Sequence, residues 1–254
     1  MKLLFIGDVV GEHTCRYLQK RLPAIRRELG ADITVINGEN SANGNGITRQ
    51  SARMLSDAGA DVITTGNHAF QQRRDLSLFE SETILRPANY PDACPGHGVT
   101  VLDMGACRAA VVNLQGVLFM ESLRDPFDEM DAILQTLDTP VIFVDFHAEA
   151  TSEKRAMGYY LAGRVTAVIG THTHVQTADA CILAGHTGYL TDAGMTGTAD
   201  SILGVDKQTA IDRLHLHLPI PYQEAEGECV INGVVVEYDK TSGKCTKISA
   251  LIMN

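Results

Sequence analysis

The chain opens with a short apolar run that stops at a glycine and an aspartate: Leu3-Leu4-Phe5-Ile6-Gly7-Asp8-Val9-Val10-Gly11. The same arrangement, an apolar run followed at once by polar side chains, recurs four times. The later runs are residues 33–36, 62–65, 141–146 and 165–169. Short, nearly continuous apolar runs of this kind are typical of strands buried in a sheet. The sequence therefore predicts at least five buried strands, each ending in a polar cluster.

Helical patterns separate the first strands. An apolar stripe recurs at three- and four-residue steps at Cys15, Leu18, Leu22, Ile25 and Leu29. Pro23 lies inside this stripe and predicts a kink or a break in the helix. Residues 48–58 predict a second helix, closed by Gly59.

The second half of the chain mixes a hairpin with further strands and helices. Residues 99–102 and 109–114 predict the hairpin, and the stretches 126–137 and 152–162 predict helices. A closing antiparallel pair is expected over residues 229–238 and 244–252. No repeat, low-complexity tract or linker interrupts this pattern, so we expect an α/β fold in a single domain spanning residues 1–254.

Polar clusters follow all five strands. They are Gly7-Asp8, Gly38-Glu39-Asn40, Gly66-Asn67-His68, His147 and Gly170-Thr171-His172-Thr173-His174. Taken alone, Asp8 could cap a helix, and His147 could be a hydrogen-bonded core histidine. In α/β sheets, however, ligands gather beyond the carboxyl ends of the strands, and all five clusters carry side chains that bind metals. Together they indicate a metal site.

The order of these motifs resembles that of the calcineurin-type metallophosphoesterase superfamily, whose motifs are G-D-x-H, G-D, G-N-H-[DE], a separate histidine and G-H-x-H. Two departures resemble one branch, the YmdB-like family. Position 10 is Val10 where the superfamily has a metal-binding histidine, and the second motif carries Glu39-Asn40 instead of an aspartate. The stretches Gly66-Asn67-His68-Ala69-Phe70 and Thr191-Asp192-Ala193-Gly194-Met195-Thr196-Gly197 also resemble this family.

The resemblance implies a four-layer α/β/β/α sandwich, in which two mixed sheets pack face to face with helices outside. It also implies two metal ions that share Glu39 as a bridging ligand. One ion would be held by Asp8, Glu39, Asn40 and His174, and the other by Glu39, Asn67, His147 and His172. In this scheme the amide oxygen of Asn40 replaces the imidazole missing at position 10. A single bridging carboxylate holds two cations roughly 3.5–4 Å apart, as two-metal hydrolases require.

Oxygen and imidazole ligands without a thiolate favour iron, manganese or zinc. The resemblance favours iron or manganese. A hydroxide between the two metals would attack phosphorus in line. His68, next to the ligand Asn67, is the general acid by the same resemblance, although a histidine that only orients a ligand would fit the position too. The implied substrate is a small phosphodiester, a cyclic nucleotide such as 2′,3′-cyclic AMP.

A second hypothesis from another class remains open. It is a regulatory protein that binds a nucleotide or an RNA end through the metal site, with only incidental turnover. A complete set of ligands favours the enzyme, because a site that had lost its activity would have no chemical reason to keep all of its ligands. A protein phosphatase is disfavoured because Val10 departs from the motif of that branch.

The composition limits the partners. A net charge of −10 argues against a bulk nucleic-acid surface or an anionic-membrane surface. No apolar run approaches the ~20 residues that span a bilayer. The six cysteines form no C-x-x-C pair. We therefore expect a cytoplasmic protein with reduced thiols, and homo-oligomerisation stays open.

Overall fold

Thirteen strands form two sheets in the computed structural model, which describes residues 1–254. The strands are β1 (Lys2–Ile6), β2 (Ile33–Asn37), β3 (Val62–Thr64), β4 (Ile84–Leu85), β5 (Val99–Asp103), β6 (Arg108–Gln115), β7 (Val141–His147), β8 (Ala167–Thr171), β9 (Cys181–Leu183), β10 (Thr187–Leu190), β11 (Gly197–Thr198), β12 (Cys229–Tyr238) and β13 (Cys245–Met253). The helices are α1 (Glu12–Leu29), α2 (Arg49–Ala58), α3 (Pro126–Thr136), α4 (Thr151–Tyr160) and α5 (Lys207–Leu216), with a 3₁₀ helix at Arg73–Glu80.

Both sheets are mixed, as predicted. The first has the order β11-β12-β1-β2-β3-β4, and β13 also pairs with β12, in the antiparallel sense. Its strands β1 to β4 are parallel, and β12 runs antiparallel to β1. The second has the order β5-β6-β7-β8-β10-β9, in which β6, β7, β8 and β10 are parallel and the edge strands are antiparallel.

Three apolar layers hold the sheets and helices together. Alternate residues of both sheets, such as Phe5 and Ile169, fill the space between the sheets. There the ring of Phe143 packs edge-on against Tyr238 at 5.2 Å. Leu18 and Leu22 bury one face of α1 against the first sheet, whereas α3 and α4 cover the outer face of the second. Each fully buried side chain of this size contributes about 1.5–3 kcal/mol. The predicted four-layer sandwich is confirmed.

Two local features differ from what the sequence led us to expect. Of the kink or break predicted at Pro23, there is no break, since α1 continues through the proline. Buried residues on both sides of the proline dock the two halves on the same sheet and outweigh the lost hydrogen bond. The short strand β4 was not predicted, since two residues carry no readable periodicity. None of the helices has the length and apolarity needed to cross a membrane.

The parallel strands bring the predicted clusters to one edge. In the first sheet, β1, β2 and β3 end together, and in the second, Gln115 of β6 pairs with His147 of β7, which pairs with Thr171 of β8. Since the sheets pack face to face, the carboxyl ends of both sets of strands meet over the layer between them. The site is built there.

Candidate metal centre

The structure brings all seven predicted ligand residues together. Asp8 follows β1, Glu39 and Asn40 follow β2, and Asn67 follows β3. From the other sheet, His147 is the last residue of β7, and the other two histidines follow β8. Glu39, His147 and His172 offer ligand atoms that all lie within 4.8 Å of one another.

One group of donor atoms is centred on His147. Its Nε2 lies 3.0 Å from His172 Nδ1, 3.0 Å from Asn67 Oδ1 and 3.2 Å from Glu39 Oε2. These are the four residues expected to hold one ion. Spacings of about 3 Å between donor atoms suit ligands that surround one small cation, whose bonds to oxygen and nitrogen are about 2.0–2.2 Å long.

A second group lies around Asn40. Asn40 Nδ2 is 3.0 Å from Glu39 Oε1 and 3.2 Å from His174 Nε2, and His174 Nε2 is 4.0 Å from Asp8 Oδ1. Glu39 thus turns Oε2 toward the first group and Oε1 toward the second, which is the arrangement a bridging carboxylate needs. To coordinate a cation through oxygen, the Asn40 amide must turn over, because Nδ2 faces this group.

Each histidine has its outer nitrogen tied to a neighbour. The Thr171 hydroxyl donates to Asp145 Oδ1 at 2.7 Å, so its oxygen accepts from His147 Nδ1 at 2.9 Å. His172 Nε2 lies 3.1 Å from Glu149 Oε2, and His174 Nδ1 lies 3.3 Å from the Leu203 carbonyl. In each ring, the N–H that points away from the centre is bound by one of these acceptors. The nitrogen that faces the centre then carries a free lone pair. An imidazole prepared in this way is a metal ligand.

The charges in the centre also fit cations. Asp8 is fully buried, and its Oδ1 has no hydrogen-bond partner, an arrangement that is costly unless a cation neutralises it. Burial raises the pKa of Asp8 well above its ordinary value, and the charges of Asp192 and Glu39 raise it further. Burial lowers the pKa of His147, but the carboxylate of Glu39 raises it more, to about 9. A proton on His147 thus occupies the position that a cation would take.

Two glycines permit close packing at the centre. A Cβ at Gly66 would collide with His147 and with Glu39 Oε2, so only glycine fits between β3 and the centre. A Cβ at Gly7 would collide with the carbonyl of Gly194. The segment containing residues 191–197 therefore packs directly on the end of β1, which explains why it accompanies the ligand motifs.

Buried carboxylates that were not among the predicted site residues hold the centre in place. Asp192, noted in the sequence but left out of the site, accepts from Thr173 N at 3.1 Å, from Thr173 Oγ1 and from Lys154 Nζ. It fixes the loop that carries both of the later histidines. Asp145 accepts from Thr171 of the neighbouring strand β8 and from Thr64 and Asn37 of the facing sheet.

His68 lies beside the centre without joining either group. Its backbone N–H donates to Glu39 Oε2 at 3.3 Å, and its Nδ1 lies 2.8 Å from Asn40 Oδ1. About a third of the side chain is exposed. A ring that is anchored through Nδ1 and open to solvent can present Nε2 to a bound molecule.

The chain is similar to known proteins over nearly its whole length. A family model described as "YmdB-like protein" matches residues 4–251. The 2′,3′-cyclic-nucleotide 2′-phosphodiesterase of Bacillus subtilis (strain 168) is 44% identical over 257 aligned residues, which cover 100% of this chain and 97% of that protein.

Two solved structures are similar over the full length of the chain. A hypothetical protein from Thermus thermophilus has a TM-score of 0.95 and 41% identity, covering 100% of this chain and 99% of the other. A phosphatase from Mycoplasma pneumoniae has a TM-score of 0.94 and 30% identity, covering 100% and 93%. Family model, sequence and structure lead to the same conclusion: the chain belongs to the YmdB-like protein family.

Proposed function

We propose that this chain is a metal-dependent phosphoric ester hydrolase that cleaves 2′,3′-cyclic nucleotides. The observation that carries the proposal is that the two carboxylate oxygens of Glu39 face different groups of donor atoms. Oε2 lies 3.2 Å from His147 Nε2, and Oε1 lies 3.0 Å from Asn40 Nδ2. The name of the Bacillus subtilis relative supports a cyclic nucleotide as the substrate.

The proposed ligands form two sets with one shared member. Asp8, Glu39, Asn40 and His174 would hold one ion, and Glu39, Asn67, His147 and His172 the other. Oxygen and imidazole donors without a thiolate suit iron or manganese, with zinc as a further candidate. Two such ions, when bound, would supply Lewis acidity toward the phosphate and an activated water.

In the proposed reaction, water oxygen forms a bond to phosphorus and the bond from phosphorus to a ribose oxygen breaks; the proton that water gives up balances the one that the ribose oxygen receives. The leaving alkoxide needs a proton, which we assign to His68 Nε2. The contact of 2.8 Å between His68 Nδ1 and Asn40 Oδ1 fixes the ring. The ring donates as an imidazolium, protonated at both nitrogens, and becomes neutral imidazole when Nε2 gives up its proton. If the Asn40 amide turns over to coordinate a cation, the carboxylate oxygen Glu39 Oε1, 3.5 Å from His68 Nδ1, still lies beside the Nδ1–H.

A diester rather than a monoester is favoured by the surroundings of the centre. Arg49 and Arg73 are the arginines near the ligand motifs that could fold over a doubly charged phosphate. The Arg49 guanidinium donates to Ser77 at 2.8 Å and lies 4.0 Å from Asp75, so it is already engaged. A cyclic phosphodiester carries a single negative charge and needs fewer cationic partners.

Hydrolysis of 2′,3′-cyclic AMP and of a nucleoside monophosphate, measured under one manganese condition, tests the proposal. We expect a higher kcat/KM for the cyclic diester. A clear preference for the monoester would make the chain a general phosphatase. Binding of the nucleotide without turnover of either ester would instead support the regulatory alternative.

A further inference from the structure

Phe119 is held in an unusual conformation at the surface. It lies in the loop between β6 and α3, its side chain is 90% exposed, and its φ is +64°. The left-handed region is unfavourable for a bulky side chain. An exposed aromatic ring also does not gain the free energy that its burial would provide. Phe119 belongs to a turn that is closed only by a long hydrogen bond, from Met120 N to the Val117 carbonyl at 3.4 Å, and the exposed ring gains no burial from the chain. Outliers of this kind point to a contact made with another molecule.

The loop is tied to the metal centre at its first end. Gly116 N donates to the His147 carbonyl at 2.9 Å, and Val117 N donates to Glu153 Oε1 at 2.9 Å. Glu153 belongs to α4, the helix that follows His147. Phe119 comes three residues after Gly116, so its backbone lies within roughly 11 Å of a residue that is bonded to a proposed ligand.

The other end of the loop is tied to the His68 side of the centre. Tyr90 donates from its hydroxyl to Glu121 Oε2 at 2.8 Å. The Tyr90 ring packs edge-on against Phe70 at 5.3 Å, two residues after His68. The loop therefore runs from an anchor on the His147 side of the centre to an anchor on the His68 side, and Phe119 lies between the two anchors along the chain.

We propose that Phe119 is the platform on which the nucleobase of the substrate stacks. This inference rests on the proposed function, because it assigns a residue to the part of a cyclic nucleotide that the metal centre leaves unbound. The centre itself is lined by carboxylates, amides and imidazoles, which suit the phosphate. A base offers an aromatic face to a phenylalanine ring whatever its identity.

The size of the exposed apolar surface favours a base over a protein partner. Leu118 is the exposed apolar neighbour of Phe119, and the residues that follow include the exposed Glu121, Ser122 and Arg124. Stable protein interfaces bury about 1,200–2,000 Å². The exposed apolar surface of one phenylalanine ring and one leucine side chain is close to the area of a single base and far smaller than such an interface.

The test compares Phe119→Ala with the wild-type protein on 2′,3′-cyclic AMP and on ribose 2′,3′-cyclic phosphate, which lacks the base. For the nucleotide we expect KM to rise about five- to twentyfold with kcat nearly unchanged, the effect of losing one stacked base. For the base-free ester we expect no change. Phe119→Trp should restore the KM for the nucleotide. Tyr159→Ala serves as the matched control, because it removes a 60% exposed aromatic ring from α4.

The outcomes separate this inference from the proposed function. If the wild-type protein hydrolyses neither ester, the proposed function fails and the inference fails with it. If the wild type hydrolyses both and Phe119→Ala changes KM equally for both or for neither, stacking is wrong while the function stands. A change in the sedimentation coefficient of Phe119→Ala, without a change in KM for the nucleotide, would assign Phe119 to a protein interface and overturn the inference.

Discussion

His172 Nδ1 lies 3.0 Å from His147 Nε2, and both rings have their other nitrogen engaged by an acceptor. Two lone pairs at this distance repel each other unless a positive charge lies between them. In the isolated chain that charge is a proton on His147, and burial together with this imidazolium lowers the pKa of His172 to about 3. A metal ion would fill the same role, so the pair is preorganised for a cation.

Thr171→Val should weaken metal binding while the fold persists. The substitution is nearly isosteric but removes the oxygen that accepts from His147 Nδ1 and the hydroxyl that donates to Asp145. Loss of such an outer partner typically costs roughly 10–100-fold in metal affinity. Competition with a chromogenic chelator measures this affinity directly.

Thr166→Val is the matched control. Thr166, directly before β8, is also fully buried, but its Oγ1 accepts from the backbone N–H of Ile142 at the other end of the strand from the metal ligands. This variant should lose stability without losing metal affinity. Equal metal affinity in both variants would show that Thr171 has no part in preparing His147.

Lys154→Met should strongly destabilise the fold. Lys154 Nζ lies 2.6 Å from Asp192 Oδ2, and both side chains are almost completely buried. Removal of one partner of a buried ion pair leaves an uncompensated charge and costs about 3–5 kcal/mol. Urea denaturation in the presence of a chelator gives the free energy of unfolding without a contribution from bound metal.

An exposed ion pair of equal length provides the comparison. Lys207 Nζ is also 2.6 Å from Asp200, but both side chains are more than half exposed. Lys207→Met should change the free energy of unfolding by less than about 1 kcal/mol. If the two variants lose the same stability, burial of the Lys154 pair is not what makes it important.

The positions of the seven ligand-type residues could be predicted because the relevant signals are local. Each strand ends where its apolar run ends, and the first polar residues beyond it must lie at the edge of the sheet. Asp8, Asn67 and His147 could be placed in this way without any knowledge of their neighbours. The largest shift is that of β8, from the predicted residues 165–169 to Ala167–Thr171, which places Thr171 in the strand and beside His147.

The supporting residues depend on contacts between distant parts of the chain. Asp145 lies within an apolar strand and receives hydrogen bonds from Asn37 and Thr64, residues of the other sheet. Asp192 acts through Lys154, 38 positions earlier in the chain. The exposure of Phe119 follows from how its loop is anchored at both ends. Residue type and periodicity do not encode these pairings, so the sequence alone could not assign them.

His68→Ala should lower the rate for a poor leaving group far more than for a good one. Loss of a general acid typically costs roughly 10²–10⁴ in rate, and a ribose alkoxide needs the proton whereas p-nitrophenolate is a stable anion. The measurement is kcat for 2′,3′-cyclic AMP and for bis-p-nitrophenyl phosphate, with metal content determined in parallel. His97→Ala removes a histidine remote from the centre and should leave both rates unchanged.

Equal losses on both substrates, or loss of metal from His68→Ala, would assign His68 to orienting a ligand. The short contact between its Nδ1 and Asn40 makes this distinction necessary. Normal metal content combined with a loss confined to the nucleotide is the result expected of a proton donor.

The metal content of the purified protein and of Glu39→Ala, determined by elemental analysis without chelators, tests the central claim most directly. We predict close to two transition-metal ions per wild-type chain, because the seven side chains form two four-ligand sets with one shared carboxylate. Glu39→Ala should lose most of the metal, since Oε1 and Oε2 face different sets. Retention of two ions with unchanged affinity by Glu39→Ala, or a wild-type protein that binds none, would contradict the proposed centre.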